Sequence, residues 1–158
     1  MKQEDQLIIN TIQVKDLNHI EKIGLCIGRN LKGGELIELS GDLGSGKTTL
    51  SKYIVAGSGS NAHVSSPTFT ISKQYKAKNF TFYHYDFYRL NDAGLIANEL
   101  ADHVLNNDSV VLVEWGSNFP DILPSPRIII KIGYGPLESR VLQIEYPKAM
   151  QYITGGIE

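Results

Sequence analysis

Hydrophobic and polar positions along this chain change period several times, and each change predicts an element. Leu7 to Val14 alternates loosely and carries β-branched residues, which predicts a first strand. Asp16 then stands where a helix N-cap belongs. Leu17, Ile20, Ile27 and Leu31 recur at helical spacing until Gly33-Gly34 supplies a stop. A short apolar strand, Glu35 to Ser40, leads into a glycine-rich loop, and Thr48 to Ala56 reads as a helix ended by Gly57-Ser-Gly-Ser60. Thr68 to Tyr75 and Phe80 to Tyr88 predict two strands joined around Lys76-Ala-Lys-Asn79, an antiparallel hairpin. Asp92 is placed to cap a helix running to about Leu105, with Leu95, Ile96, Leu100 and Val104 on one side. Ser109 to Trp115 is apolar enough for the buried centre of a sheet. Arg127 to Ile132 and Arg140 to Tyr146 predict a last strand pair around the Tyr134-Gly-Pro136 turn. The expected fold class is α/β: a three-layer sandwich whose mixed sheet carries antiparallel strands. Residues 1–147 are expected to form one domain, and 148–158, polar and glycine-containing, a disordered tail.

The loop between the second strand and its helix changes this picture from architecture to chemistry. Residues 41–48 read Gly41-Asp-Leu-Gly-Ser-Gly-Lys-Thr48, a complete G-x-x-x-x-G-K-[ST] phosphate-binding loop in the strand–loop–helix setting it requires. Its glycines let backbone N–H groups turn onto phosphate oxygens, and the helix N-terminus adds its positive dipole end. Asp42, Leu43, Gly44, Ser45, Gly46, Lys47, Thr48 and Thr49 are therefore the expected phosphate cradle. Lys47 is expected at the β/γ-phosphates and the Thr48 hydroxyl on Mg2+. A nucleoside triphosphate is the implied ligand, which makes the expected sandwich that of a P-loop NTPase.

Composition adds boundaries. The 158 residues carry a net charge of −2, with 42% hydrophobic and 20% charged residues, ordinary values for a globular protein without an overall basic surface for nucleic acid. One cysteine, Cys26, precludes an intramolecular disulfide and lies in an apolar stretch, as a buried inert thiol would. The N-terminus is polar and no apolar run approaches membrane-spanning length, so a cytoplasmic protein without membrane contact is expected.

Hydrolysis needs more than a phosphate loop: a carboxylate for the metal and a group that orients water. Val110-Val-Leu-Val-Glu114 supplies a Walker B pattern with Glu for the more usual Asp. Glu114 either holds Mg2+, directly or through water, at the end of a core strand, or is simply the first polar residue after that strand. Trp115 follows, where several ATPase classes place a catalytic glutamate, so slow hydrolysis by the chain alone is expected. In Phe82 to Arg89, alternation sets His84, Asp86 and Tyr88 on one face. A charged aspartate in so aromatic a run is costly unless it is paired or works on a metal or water. Both readings stand for Asp86, its structural partners being Arg89 or His84. Ser65-Ser-Pro-Thr-Phe69 lies where P-loop proteins carry a γ-phosphate sensor, with Thr68 as the switch residue; equally, it is a turn entering a strand. Adenine contacts are sought near Thr11 to Val14 and in the final strands.

In series, Gly41-Asp-Leu-Gly-Ser-Gly-Lys-Thr-Thr49, Ser66-Pro-Thr-Phe69, His84-Tyr-Asp-Phe-Tyr-Arg-Leu90 and Val113-Glu-Trp115 resemble, in order and spacing, the TsaE family of bacterial ATPases of tRNA threonylcarbamoyladenosine (t6A) formation. The likeness spans about residues 10–146. It implies ATP and Mg2+ as ligands and a P-loop role for Lys47 and Thr48. It also implies Glu114 on the metal, Thr68 as a switch, and Asp86 and Trp115 as residues that matter for turnover. It further implies work with the TsaB and TsaD proteins, ATP hydrolysis resetting TsaD, and tRNA met through those partners. Two segments depart from the family pattern. Gly116-Ser117 replaces the usual proline and acid after Glu-Trp, and Asn91 to Glu99 lacks several expected glutamates.

Other classes fit less well. A small P-loop kinase of a metabolite wants an arginine-rich lid, whereas Arg29, Arg89, Arg127 and Arg140 stand singly. A GTP-dependent switch wants N/T-K-x-D and D-x-x-G segments, which the chain lacks.

Overall fold

The alternating N-terminal stretch is strand β1 (Leu7–Val14), whose odd-numbered residues from 7 to 13 face solvent. The computed structural model describes residues 6–67 and 69–158, apart from the side chain of Leu95. After β1 come α1 (Leu17–Asn30), β2 (Leu36–Gly41), α2 (Lys47–Gly57), β3 (Ser72–Lys76), β4 (Thr81–Asp86), α3 (Gly94–Val104), β5 (Ser109–Glu114), β6 (Ile128–Tyr134) and β7 (Arg140–Pro147). Asp16 caps α1 as its position predicts, its side chain accepting from His19 N at 2.8 Å.

The strands form one seven-stranded sheet in the order β1-β7-β6-β2-β5-β4-β3. β6, β2, β5 and β4 pair in parallel, while β7, β1 and β3 pair antiparallel to their neighbours. Residues alternate between two buried clusters. Ile37, Leu39, Phe82, Val110, Leu112 and Ile130 join the cluster that includes Ile23 and Ile27 of α1 and Leu50 and Ile54 of α2. Leu36, Tyr85, Val111 and Val113 join a second cluster with Leu100 of α3. Helices therefore cover both faces of a mixed sheet, a three-layer α/β architecture. None of the helices among the described residues is long and apolar enough to cross a membrane.

Three expectations are corrected in detail. The hairpin strands are shorter than their sequence pattern. Before β3, Thr70 N and Ile71 N both donate to Pro67 O, a turn that leaves Ile71 O, accepting from Asp86 N, as the bond next to the β3–β4 ladder. β4 stops at Asp86 because that carboxylate captures Tyr88 N at 2.9 Å, so Tyr88 lies beyond the strand. Asp92 does not cap α3 directly; Oδ1 accepts from Gly94 N, and Ala93 holds the N-cap position. Residues 148–158 are not a disordered tail. Lys148–Thr154 forms a 3-10 helix with Ile153 fully buried. Asn30 Nδ2 donates to Ile153 O and Gly155 O at 3.1 and 2.8 Å, and the Cys26 thiol donates to Gly155 O at 3.0 Å. Polarity misled here because the segment docks through backbone carbonyls, the hydroxyls of Tyr152 and Thr154, and scattered apolar side chains. Ile153 is buried, with Met150, Tyr152 and Ile157 packed on the core.

Candidate functional site

The three expected acidic and cationic groups come from adjacent parallel strands. The glycine-rich loop leaves β2, Glu114 ends β5 and Asp86 ends β4, with Glu114 registered against Leu39 on one side and Asp86 on the other. Their shared position at the C-terminal edge of the sheet is where open α/β sheets bind ligands.

Within the loop, Gly44 and Gly46 have φ of 76° and 112°, a region glycine enters freely, and an added Cβ at either would meet open space. Their requirement is conformational. The loop then turns directly into α2, whose N-cap is Gly46 and whose start lacks a side-chain cap. The first N–H groups of that helix are an anion site by their own geometry. Lys47 is 5% exposed, and its ammonium donates to Gly41 O and Asp42 O at 2.7 and 2.8 Å. Burial pushes its pKa down, against the attraction of Glu114, Asp86 and Asp42. A buried ammonium amid acids, beside a helix N-terminus, is set for an anionic ligand. Ser45 Oγ is buried with no hydrogen-bond partner among the described residues, unmet polar capacity in the same loop.

Thr48 Oγ1 donates to Glu114 Oε1 at 3.2 Å. Two hard oxygen donors side by side, one a carboxylate 2% exposed, suit Mg2+ that takes its remaining ligands from phosphate and water. The sequence leaves two structural partners open for Asp86. In the fold, its Oδ1 accepts from Tyr88 N and its Oδ2 from Ser66 Oγ at 3.1 Å, tying the β4 end to the segment that precedes position 68. Of the two residues considered as its partners, His84 binds Glu114 Oε2 at 2.7 Å and Arg89 lies over the Phe69 ring at 4.5 Å. Thr68, the expected switch residue, lies outside the described residues.

Trp115 is more than a packed aromatic. Its backbone is left-handed, with φ 61° and ψ 31°, which turns the chain out of β5. Lys47 Nζ stands 4.5 Å from its ring centroid, and Tyr88 packs on it at 4.9 Å. The following Gly116 is tightly enclosed: a Cβ there would meet Leu123 Cδ1 at 2.6 Å and Glu38 Oε1 at 3.2 Å.

Two cavities flank the loop. One, about 540 Å3, is lined by Lys47, Thr48, Asp86, Arg89, Glu114 and Trp115 among others. The second, about 400 Å3, lies between Val14 to Leu17 and Ile20 on one wall and Glu138 to Arg140 on the other, with Gly44 to Gly46 as floor. From the sequence alone Arg140 is either added positive charge for a nucleotide or partner or a solvated surface charge. In the fold its Nε donates to Ser45 O at 3.2 Å and its guanidinium stacks 4.2 Å over Tyr134, pinning the β6–β7 turn to the loop. That turn holds Leu137 and Glu138 at positive φ. No sequence signal marks this tether, because Arg140 and Ser45 are 95 positions apart.

Comparison with known proteins follows the same lines. The sequence model of the family described as "Threonylcarbamoyl adenosine biosynthesis protein TsaE" matches residues 14–151. A Haemophilus influenzae protein named "tRNA threonylcarbamoyladenosine biosynthesis protein TsaE" is 37% identical over 99 residues, 63% of each chain, so the match spans under two thirds of that relative's length. A protein of the same name from a Nostoc species is 32% identical over 146 residues, covering 89% of this chain and 90% of the relative. The crystal structure of Bacillus subtilis YdiB superposes with a TM-score of 0.75 at 26% identity, over 91% of this chain and 89% of that one.

Proposed function

The chain belongs to the TsaE family of threonylcarbamoyl adenosine biosynthesis proteins, and on that premise we propose that it is the ATP-binding and ATP-hydrolysing component of tRNA t6A formation. The observation that carries the nucleotide reading is the convergence at one sheet edge. Lys47, the bare N-terminus of α2 and the Thr48–Glu114 pair meet there. The phosphates lie along residues 42–49, Lys47 exchanging its two carbonyl partners for β- and γ-phosphate oxygens. Thr48 Oγ1 and Glu114 hold Mg2+, which offsets phosphate charge when bound. The nucleoside occupies the 400 Å3 cavity, whose walls are the end of β1 with the start of α1 and the β6–β7 turn. Asp86 faces the phosphate cavity and polarises water or holds its shell, while Thr68 reports on the γ-phosphate.

In P-loop enzymes that hydrolyse rapidly, a carboxylate beside the Walker B acid often activates water; here Trp115 takes that place. Turnover by the chain alone is therefore slow, and partners complete the site. We assign those partners to TsaB and TsaD, with hydrolysis resetting TsaD and with tRNA met through the complex in the cytoplasm. The test is steady-state ATP hydrolysis by the purified chain, alone and with TsaB and TsaD from the same organism. Slow basal turnover that rises severalfold or more only with both partners is expected. Fast turnover indifferent to them would replace this reading with an independent ATPase or a small-molecule kinase.

A further inference from the structure

Glu114 is held from behind. Its Oε2 lies 2.7 Å from His84 Nε2, and the histidine is fully buried. Across the ring, His84 Nδ1 lies 3.3 Å from the Tyr75 hydroxyl, which is itself 3.1 Å from Ser65 O. The donors and acceptors can be counted. An ionised carboxylate only accepts, so His84 Nε2 must carry a proton to hold it. On the far side Tyr75 donates its one phenolic proton to Ser65 O, which fixes the hydroxyl against Nδ1. β4 and β5 set these partners side by side: His84 registers against Leu112, two residues before Glu114 on the same face.

We propose that His84 is a positioning residue for the metal-holding carboxylate. Through Nε2–H it fixes Oε2, so that Oε1 stays turned toward Thr48 Oγ1, and Tyr75 steadies the ring from its far side. This rests on the reading of Thr48 and Glu114 as the Mg2+ pair. A free carboxylate would have to give up rotational freedom when it meets a cation, whereas one already clamped does not. Groups that orient metal ligands in this way typically alter metal affinity or activity by about ten- to a hundredfold when removed. The same contacts run from Thr48 to the Ser65 carbonyl, at the start of the segment before position 68.

The first test needs no variant. Nitrogen-15 NMR of the side chain in the wild-type protein at neutral pH is expected to show Nε2 of His84 protonated. A ring protonated at Nδ1 alone overturns the proposal, because a bare nitrogen cannot hold an ionised carboxylate. The second test titrates Mg2+ into the protein with ADP bound, read by fluorescence of Trp115, the chain's one tryptophan. His84→Asn, whose amide is too short to reach Glu114, is expected to raise the half-saturating Mg2+ concentration about tenfold or more. ADP binding in excess chelator stays near wild type. His84→Gln, which restores a donor near the Nε2 position, recovers most of the loss. Glu114→Gln separates the two readings. If it leaves Mg2+ saturation unchanged, the metal pair fails and His84's role fails with it. If it shifts saturation while a folded His84→Asn does not, only the role of His84 is overturned.

Discussion

Lys47 and Glu114 do different things in the same cavity, and their variants should separate. Lys47→Ala removes the buried charge proposed to meet phosphate, so nucleotide affinity and turnover should both collapse. Glu114→Ala should keep substantial nucleotide binding and lose Mg2+-dependent hydrolysis by about a hundredfold or more, since second-metal-ligand and electrostatic losses of this kind are worth several kcal/mol. Binding measured in chelator beside hydrolysis measured across Mg2+ concentrations distinguishes them; full activity in either variant would rule out the proposed site. Arg140 tests the other cavity. Arg140→Gln loses the bond to Ser45 O and the stack on Tyr134, so affinity for ADP should fall severalfold, and by clearly more than affinity for pyrophosphate. Equal losses for both ligands would place the nucleoside elsewhere.

The helix that carries the phosphate loop is aimed by a close crossing with α1. A Cβ on Gly28 would lie 2.0 Å from Ile54 O, and one on Gly57 would lie 2.2 Å from Leu25 O. Neither contact is with a movable side-chain end, so the backbones must part to admit a methyl group. Gly28→Ala should cost about 1–3 kcal/mol in denaturant unfolding, and it should weaken nucleotide binding as well, because α2 shifts with its N-terminus. A stability loss without any change in binding would show that the crossing holds the core and does not aim the loop. The 3-10 helix over Lys148–Thr154 braces the same α1 through Asn30 and Cys26.

Across the molecule, buried phenols set the alkaline limit of stability. Burial raises the pKa of Tyr75, Tyr85 and Tyr152, helped at Tyr85 by its bond to Glu99 and at Tyr152 by the charge of Glu35. A raised folded pKa gives stability that is complete below the unfolded value of 10.0 and is lost as pH climbs toward the folded one. Lys47, lowered by burial, acts with the opposite sign below its ordinary 10.5. Urea unfolding from about pH 8 to 11 should show stability falling beyond about pH 10, and Tyr85→Phe should flatten that fall. An unchanged slope in Tyr85→Phe would remove Tyr85 as a cause. What was legible in the chain was whatever neighbours along it specify. The period of apolar residues marked the strands and helices, and the contiguous loop at 41–48 with the acid after Val110–Val113 marked the residues that the fold gathers at one sheet edge. Contacts between distant positions were not legible. Nothing local pairs His84 with Glu114 across 30 positions, Arg140 with Ser45, or Gly28 with the backbone of Ile54. Such pairs arise from strand order and helix crossing, where register and approach distance choose the partner, so a residue that reads as a surface charge or a helix glycine can acquire its role only once the chain has folded.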